Sequence, residues 1–466
     1  MVLALLCGRV RLFSKLSNRP EGRLPISAYF GYGAGQVGGQ ILRDTPALIL
    51  PLYMTTVLGL EPALAGLVIL IAKFWVVLAD PIAGVISDKT DTRWGRRRPF
   101  ILAGGLIASL SFLFLFFVPE LQDRALFAYM TIVYLILNTG YSMFSVPYLT
   151  MASEMSDDPN ERTTILSFRN AALAIGLLIG GALAPQIIAW TIAAGGTPKQ
   201  GYQDMALVVG GCIAVSTLWV FFGTASARGT KPAEITVPLL DQLKIAWANK
   251  PFVTLITANI VQYISAGIGY AGGLFFFGYA MGLGAESLTV IAVWIIVISV
   301  ASILSMPLLV WAAARFGKMR LYKWCLILYA ISIQAYFLAD QDSLWIVYMV
   351  AVAVGLFNGG FILMSYSVLT DTINYDRVRS GISREGALSS VYSAVDKIGN
   401  ALGSALFLFF LSLIGFVETS DGSMPQQTDE VNRWIAIAYI VAPALLHSGS
   451  IFILNRYKLE DENLNS

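Results

Sequence analysis

The sequence predicts an all-α membrane protein, with twelve transmembrane helices arranged as two six-helix halves. Three observations predict it. Apolar residues make up 56% of the 466 and charged residues only 13%, with a mean hydropathy of +0.69. A soluble chain carries about 25% charge, so most of this surface faces hydrocarbon. Twelve stretches each supply the roughly 20 mostly apolar residues that a helix needs to cross a bilayer, and the basic residues collect on one side of them.

In chain order the spans are expected near 26–56, 62–88, 99–118, 125–152, 163–195, 204–225, 251–282, 286–313, 321–339, 344–371, 387–416 and 433–455. The tail 1–25 carries Arg9, Arg11, Lys15, Arg19 and Arg23. Lys89, Arg93, Arg96, Arg97 and Arg98 follow the second span, Arg162 the fourth, and Arg228, Lys231, Lys244 and Lys250 the sixth. Arg315, Lys318, Arg320 and Lys323 follow the eighth span and Arg377, Arg379 and Arg384 the tenth, with Arg456 and Lys458 in the tail 456–466. That puts 24 of the 31 Lys and Arg on one side, against Arg124, Lys199 and Arg433 on the other and four inside spans. Lys and Arg mark the cytoplasmic side, so both termini are expected in the cytoplasm of a cell with this protein in its cytoplasmic (inner) membrane. MVLALLC at the start is too short for a signal peptide and has no cleavage site. Cys7, Cys212 and Cys325 are scattered, and no disulfide is expected.

The hydropathy breaks at 226–250, a linker with two prolines that turns amphipathic, with Leu239, Leu240, Leu243, Ile245 and Trp247 against Asp241, Lys244 and Lys250. It divides an N-terminal bundle, 26–225, from a C-terminal one, 251–455. The halves echo each other: RWGRRR at 93–98 against RFGKMR at 315–320, and the exit of span 4 (148–162) against the exit of span 10 (366–379), with Glu154 and Asp371 in similar places. Parallel six-span repeats with a site between them near the midplane are the plan of the major facilitator fold. Asp88, Glu154, Asp371 and Asp376 lie at helix ends beside Arg93, Arg96, Arg162, Arg315 and Arg384. Topology alone needs the arginines but not acids at repeated positions, so these charges are expected to form a cytoplasmic gate that closes when the outer side opens.

Ionisable groups inside spans are costly and mark function. They are Arg43 and Asp44 in span 1, Lys73 and Asp80 in span 2, Arg169 in span 5, and Asp396 and Lys397 in span 11. Asp80, before Pro81, is either the acid that handles a coupling cation or the partner of Lys73, two turns away. Arg169 offers a planar fork of donors for hydroxyls or a carboxylate. Tyr392, Ser393, Asp396 and Lys397 lie on consecutive turns, and adjacent charges point about 100° apart, so one of Asp396 and Lys397 is expected to face a cavity. Gln40 and Asp44 share a face. Tyr32, Asn138, Tyr141, Ser145, Tyr148, Asn259, Gln262, Tyr263, Asn358 and Tyr366 punctuate other cavity-prone spans.

With LADPIAGVISDKTDTRWGRRRPFIL, SVPYLTMASEM, ERTTILSFRNA, LTDTINYDRVR and SREGALSSVYSAVDKIGNALGSAL on the page, the chain resembles the glycoside–pentoside–hexuronide:cation symporters, the melibiose-permease-like branch of the major facilitator superfamily, over roughly 26–455. The RRRPF variant is also similar to sucrose:proton symporters. The resemblance implies that Asp80 serves the coupling cation, that Arg169 lies near the sugar, and that Lys397 and Ser393 lie where ion and sugar meet. From the residues themselves, Asp80, Asp44, Lys397 and Ser145 are expected to serve the coupling cation, and Gln40, Arg43, Tyr148, Arg169, Tyr392, Ser393 and Asp396 to bind the solute. The chain departs from the pattern at Val76, Ser145 and near Gln40, where the family has acids, and at Leu149, where it has a tryptophan. A sodium site built from several carboxylates is thereby weakened. Asp44 is expected to take over part of the span-1 role.

The expected function is secondary active transport of a sugar or glycoside with H⁺ or Na⁺ as coupling ion and no cofactor; the alternative is a facilitator or symporter of a non-sugar organic solute such as a lysolipid or an organic acid. An enzyme would want a nucleophile–base pair or metal ligands, and the chain has one histidine, His447, with no HExxH, no GxSxG and no paired cysteines. The basic residues belong to topology rather than to nucleic acid. The partners expected are a small-molecule solute and membrane lipid, with the chain acting as a monomer.

Overall fold

A computed structural model describes residues 24–156, 158–226, 244, 247–380 and 385–458. The N-terminal tail, nearly all of the linker, Arg384 and the end of the C-terminal tail lie outside the described residues. Among the described residues twelve helical rods follow in order: α1 Ile26–Thr56, α2 Pro62–Lys89, α3 Arg98–Phe116, α4 Asp123–Met155 and α5, which runs from Pro159–Leu177 through a π-helical stretch Leu178–Leu183 into Ala184–Ala193. Then come α6 Pro198–Gly223, α7 Lys250–Phe275 with a π-helical end Phe276–Ala280, α8 Ser287–Phe316, α9 Lys318–Ile333, α10 Leu344–Ser380, α11 Glu385–Leu413 and α12 Asp429–Leu454.

Among the described residues, eleven rods are long and apolar enough to cross a membrane. α1 is the exception, and its place explains why. It packs against α5, α6 and α7 and is buried on nearly every side, so it needs no apolar coat. Its polar Gln36, Gln40 and Asp44 are buried among other helices instead. α10 runs nine residues beyond its expected end, to Ser380, because the polar stretch DTINYDRVRS continues as helix past the apolar part.

The packing repeats. In the first half α1 packs on α5 and α6, α2 on α4, and α3 on α4 and α6; in the second, α7 packs on α11 and α12, α8 on α10, and α9 on α10 and α12. Adding six to each helix of the first set gives the second. The halves meet along α1 with α7, α2 with α11, and α5 with α8.

The two ends of the bundle differ. At the end away from the arginine hairpin, one apolar core runs through both halves, from Ile41–Ile69 in the first to Ile268–Leu283 and Phe407–Phe416 in the second. The segment between α11 and α12 crosses onto the α1–α2 turn there. Thr419 N donates to Thr55 O at 3.0 Å and Gly422 N to Thr56 O at 2.8 Å, and Ser412 Oγ donates to Glu61 Oε1 at 2.9 Å. At the arginine end the core divides: one cluster, with Tyr32, Phe144 and Tyr148, belongs to the first half and another, with Phe252, Tyr322 and Leu388, to the second. Between them the bundle is open.

Candidate functional site

The opening leads into a cavity of about 400 Å³ lined by both halves. One wall is α1. Gln36, Gln40 and Asp44 follow at i, i+4 spacing and stack along one face, and their groups join a single ladder. Arg169 Nε, from α5, donates to Gln36 Oε1 at 2.9 Å. Gln36 Nε2 donates to Gln40 Oε1 at 3.3 Å, and Gln40 Nε2 to Asp44 Oδ2 at 2.6 Å. Each amide is oriented from the guanidinium toward the carboxylate.

Asp44 is deeply buried, its side chain 3% exposed, and its other oxygen lies 3.8 Å from Arg43 Nε. Arg43 in turn reaches across to α11, where its Nη2 lies 3.3 Å from Asp396 Oδ2. Asn400, one turn on, donates to Asp396 Oδ1 at 2.8 Å. Two acids, one from each half, thus share one arginine. A second pair crosses the halves beside it: Lys397 Nζ donates to Asp80 Oδ2. α11 lies on α2 and close to α1, so the roughly 100° between neighbouring side chains sends Asp396 to one helix and Lys397 to the other.

Two cations are held otherwise. Lys73 Nζ donates to Asn138 Oδ1 at 3.2 Å and stands 5.4 Å from the centroid of the Tyr134 ring. Arg169 has the Gln36 amide. On the mouth side, Tyr148 stacks on Tyr32 with centroids 4.6 Å apart, and each hydroxyl donates to the other's backbone carbonyl. Tyr392 gives its hydroxyl to a buried network with Tyr263 at 2.9 Å and Ser365 at 2.8 Å. Both tyrosines line the cavity while their hydroxyls are engaged with the protein.

Of the residues expected at the site, Gln40, Arg43, Asp44, Ser145, Tyr148, Arg169, Tyr392, Ser393, Asp396 and Lys397 line this cavity. Ser145 Oγ is buried without a hydrogen bond. Three expectations need correction. Asp80 is not in the lining; it stands behind Lys397, with Oδ1 buried and unbonded. Its partner is Lys397 rather than Lys73, because α2 packs on α11 and Lys73 turns to Asn138 of α4. And Asp396 and Lys397 both line the cavity, not one of them. Residues that sequence reasoning passed over are Gln36, Asn400, Tyr134 and Tyr270; the first two carry a signal, four residues from Gln40 and from Asp396.

The expected gate is paired differently as well. Arg97 Nη2 lies 2.5 Å from Asp88 Oδ1 and 2.9 Å from Glu154 Oε1, and Arg96 Nη2 lies 2.7 Å from the same Glu154 oxygen. Arg98 donates to Phe221 O, satisfying a carbonyl at the open end of α6. Arg93 lies over the Trp94 ring rather than beside an acid. In the second half Asp371 takes Lys318, not Arg315, at 2.7 Å, and Asn249 donates to Asp376 at 3.3 Å. Arg315 makes no ion pair among the described residues, Arg162 sits in the first turn of α5, and Arg384 is not described. The ion pairs seen at this end are each made within one half, as the open mouth requires.

Solved structures of similar fold include the nucleoside transporter NupG, with a TM-score of 0.64 at 13% identity over 92% of this chain and 100% of that one. Another is a bacterial homolog to the human lysosomal transporter Spinster, captured inward-facing and unoccupied, with a TM-score of 0.62 at 16% identity over 92% and 94%. In sequence the chain is 24% identical to the isoprimeverose transporter of Lactiplantibacillus pentosus, over 94% of this chain and 90% of that protein. It is 26% identical to the glucuronide carrier protein homolog of Escherichia coli (strain K12), over 93% and 92%, and 21% identical to the inner membrane symporter YicJ of the same strain, over 95% and 94%. The family described as MFS/sugar transport protein matches residues 31–461, and the chain belongs to it.

Proposed function

We propose that this protein is a proton-coupled sugar or glycoside symporter of the cytoplasmic membrane, seen with its cavity open to the cytoplasm. The Lys and Arg excess supports the orientation: the open mouth lies at the arginine end. The observation that carries the coupling is the pair of acids, Asp44 and Asp396, that share Arg43 across the two halves. With both ionised, that trio holds one negative charge in a membrane-embedded cavity, and one proton removes it. The proton then pays its way by letting the trio cross between states without an exposed charge. Proton coupling is favoured over sodium because a sodium ion wants several oxygens, and Val76 and Ser145 stand here where the family resembled has acids.

A carbohydrate fits the lining. Amides, hydroxyls and charged groups alternate with the rings of Tyr134, Tyr141, Phe144 and Tyr148, which is suited to a polyhydroxylated ring with an apolar face. A lysolipid would have to lay its acyl chain past the six charged side chains of the lining, Arg43, Asp44, Lys73, Arg169, Asp396 and Lys397, which favours the sugar. The relatives named as an isoprimeverose transporter and a glucuronide carrier homolog agree with a sugar. The test is uptake of a labelled carbohydrate panel by proteoliposomes with an imposed proton or sodium gradient. Accumulation of a sugar driven by the proton gradient is expected; accumulation driven only by sodium rejects the coupling, and no sugar taken up rejects the solute.

A further inference from the structure

We propose that Tyr322 and Asn259, two buried residues outside the cavity, are positioning residues for the solute. Through Ser365 they hold Tyr392, and with it the Tyr366 ring, in the second half's wall of the cavity. This deepens the sugar-transport reading and rests on it.

The inference starts from a polar chain in an apolar place. Tyr322 of α9 donates to Asn259 Oδ1 of α7 at 2.7 Å, and its hydroxyl also lies 2.9 Å from Gln262 Oε1. Asn259 Nδ2 donates to Ser365 Oγ of α10 at 2.9 Å, and Ser365 Oγ lies 2.8 Å from the Tyr392 hydroxyl of α11. Tyr263 of α7 donates to that same hydroxyl at 2.9 Å. At the far end Gln262 Nε2 donates to Ser450 Oγ of α12 at 3.2 Å. Tyr322, Asn259, Gln262, Ser365, Tyr392 and Ser450 are all buried, and Tyr322 and Tyr392 belong to the apolar cluster of Phe252 and Leu388. Polar groups in such a core are costly unless bonded, and a bonded network fixes one arrangement.

Of these residues Tyr392 alone lines the cavity. Its hydroxyl accepts from Tyr263 and shares a hydrogen with Ser365, so what it brings to the wall is its ring. That ring packs on Tyr366 with centroids 5.4 Å apart. Ser365 and Tyr366 are neighbours on α10, and the roughly 100° between them sends Ser365 into the chain and Tyr366 to the cavity, where it is half exposed. α10 and α11 pack only sparsely on each other, so the Ser365–Tyr392 bond and the ring contact join them beside the cavity. The chain also lies wholly within the second half. The ion pairs of Asp396 and Lys397 cross between halves and can part with them, whereas these bonds keep the ring in place as the halves move.

The experiment uses the full-length protein in proteoliposomes and, as probe, the labelled sugar of the carbohydrate panel that it accumulates. Tyr322→Phe and Ser365→Ala alter no residue of the lining. Each is expected to raise the half-saturating concentration about five- to tenfold, as a buried hydrogen-bond partner lost would, with the maximal rate within about twofold of the parent, the pattern of lost binding alone. Tyr366→Leu is expected to raise it at least as far, and adding Tyr322→Phe to Tyr366→Leu to raise it no further, because the chain acts through that ring. Ser448→Ala, whose hydroxyl donates to Ala444 O within α12, is the control and stays at the parent value. Thermal unfolding of each variant reports any loss of fold separately. Variants that unfold earlier yet keep the parent half-saturation, an unchanged value in Tyr366→Leu, or effects of Tyr322→Phe and Tyr366→Leu that multiply overturn the proposal and leave sugar transport standing. A protein that accumulates no sugar sinks the parent reading, and this one with it.

Discussion

Asp80 and Lys397 come from helices 317 residues apart in sequence and join the two halves by a hydrogen-bonded ion pair. Their side chains are 22% and 24% exposed, and Asp80 Oδ1 has no other partner. Replacing Lys397 by Ala strands the carboxylate. Breaking a buried pair costs about 3–5 kcal/mol, and partial exposure puts this one at the low end, about 3 kcal/mol. A clear drop in the thermal unfolding temperature of Lys397→Ala is expected, with part of it restored in the Asp80→Asn, Lys397→Ala double variant; a single variant as stable as the parent would falsify the structural role. Asp44 predicts a different phenotype. It holds the end of the amide ladder and shares Arg43 with Asp396, so Asp44→Asn removes the titratable group while keeping the shape. Proton-driven accumulation is expected to vanish while exchange of labelled for unlabelled solute across the membrane persists. Accumulation at the parent level in Asp44→Asn rejects Asp44 as the coupling acid.

At the scale of helices, the site depends on how closely α11 lies on α7. A methyl group built at Gly267 overlaps Asn400 O, and one at Gly403 overlaps Ile264 O. Both are backbone atoms, which cannot rotate out of the way. Asn400 is the residue that donates to Asp396, so anything that lifts α11 also moves the Asp396–Lys397 pair. Gly267→Val is therefore expected to cost nearly all transport, whereas Gly269→Ala, two residues on and with open space around it, retains it; equal activity of the two variants would show that the close approach is not needed. The helices themselves are legible in the sequence because apolar runs and basic loops are local signals, and span 1 is readable at 26–56 despite its polar face. The ladder from Gln36 to Asp44 was half legible, since Gln40 and Asp44 are four apart. The pairings of Asp80 and Asp396 were not, because they depend on which helix faces which across 300 residues and more. Arg97 and Lys318 were passed over at the arginine end for the same reason: charge in a loop tells its side of the membrane, while its partner depends on the packing of α2 on α4 and of α9 on α10.

The whole molecule is asymmetric from end to end. One core seals the two halves together away from the arginine hairpin, and two separate cores flank the opening at the other end. Closing the mouth and opening the seal would part the apolar core that the halves share at this end, together with the hydrogen bonds that cross it, those of Thr419 and Gly422 on the α1–α2 turn and of Ser412 on Glu61. If this alternation is the transport cycle, tying the sealed end must stop it. In a variant with Cys7, Cys212 and Cys325 replaced by Ser, cysteines at Glu61 and Ser412 joined by a short bifunctional thiol reagent are expected to abolish uptake, and cleavage of a reducible linker to restore it. Either cysteine alone, treated in the same way, should leave uptake near the parent level. The same locked protein makes a second demand. Leu149 and Tyr366, about half exposed and both lining the cavity, should become cysteines that a membrane-impermeant thiol reagent reaches in inside-out vesicles and misses in right-side-out ones. Full uptake by the cross-linked protein would mean that the two halves do not part at this end, and labelling from the outside would mean that the opening is not where the arginines place it.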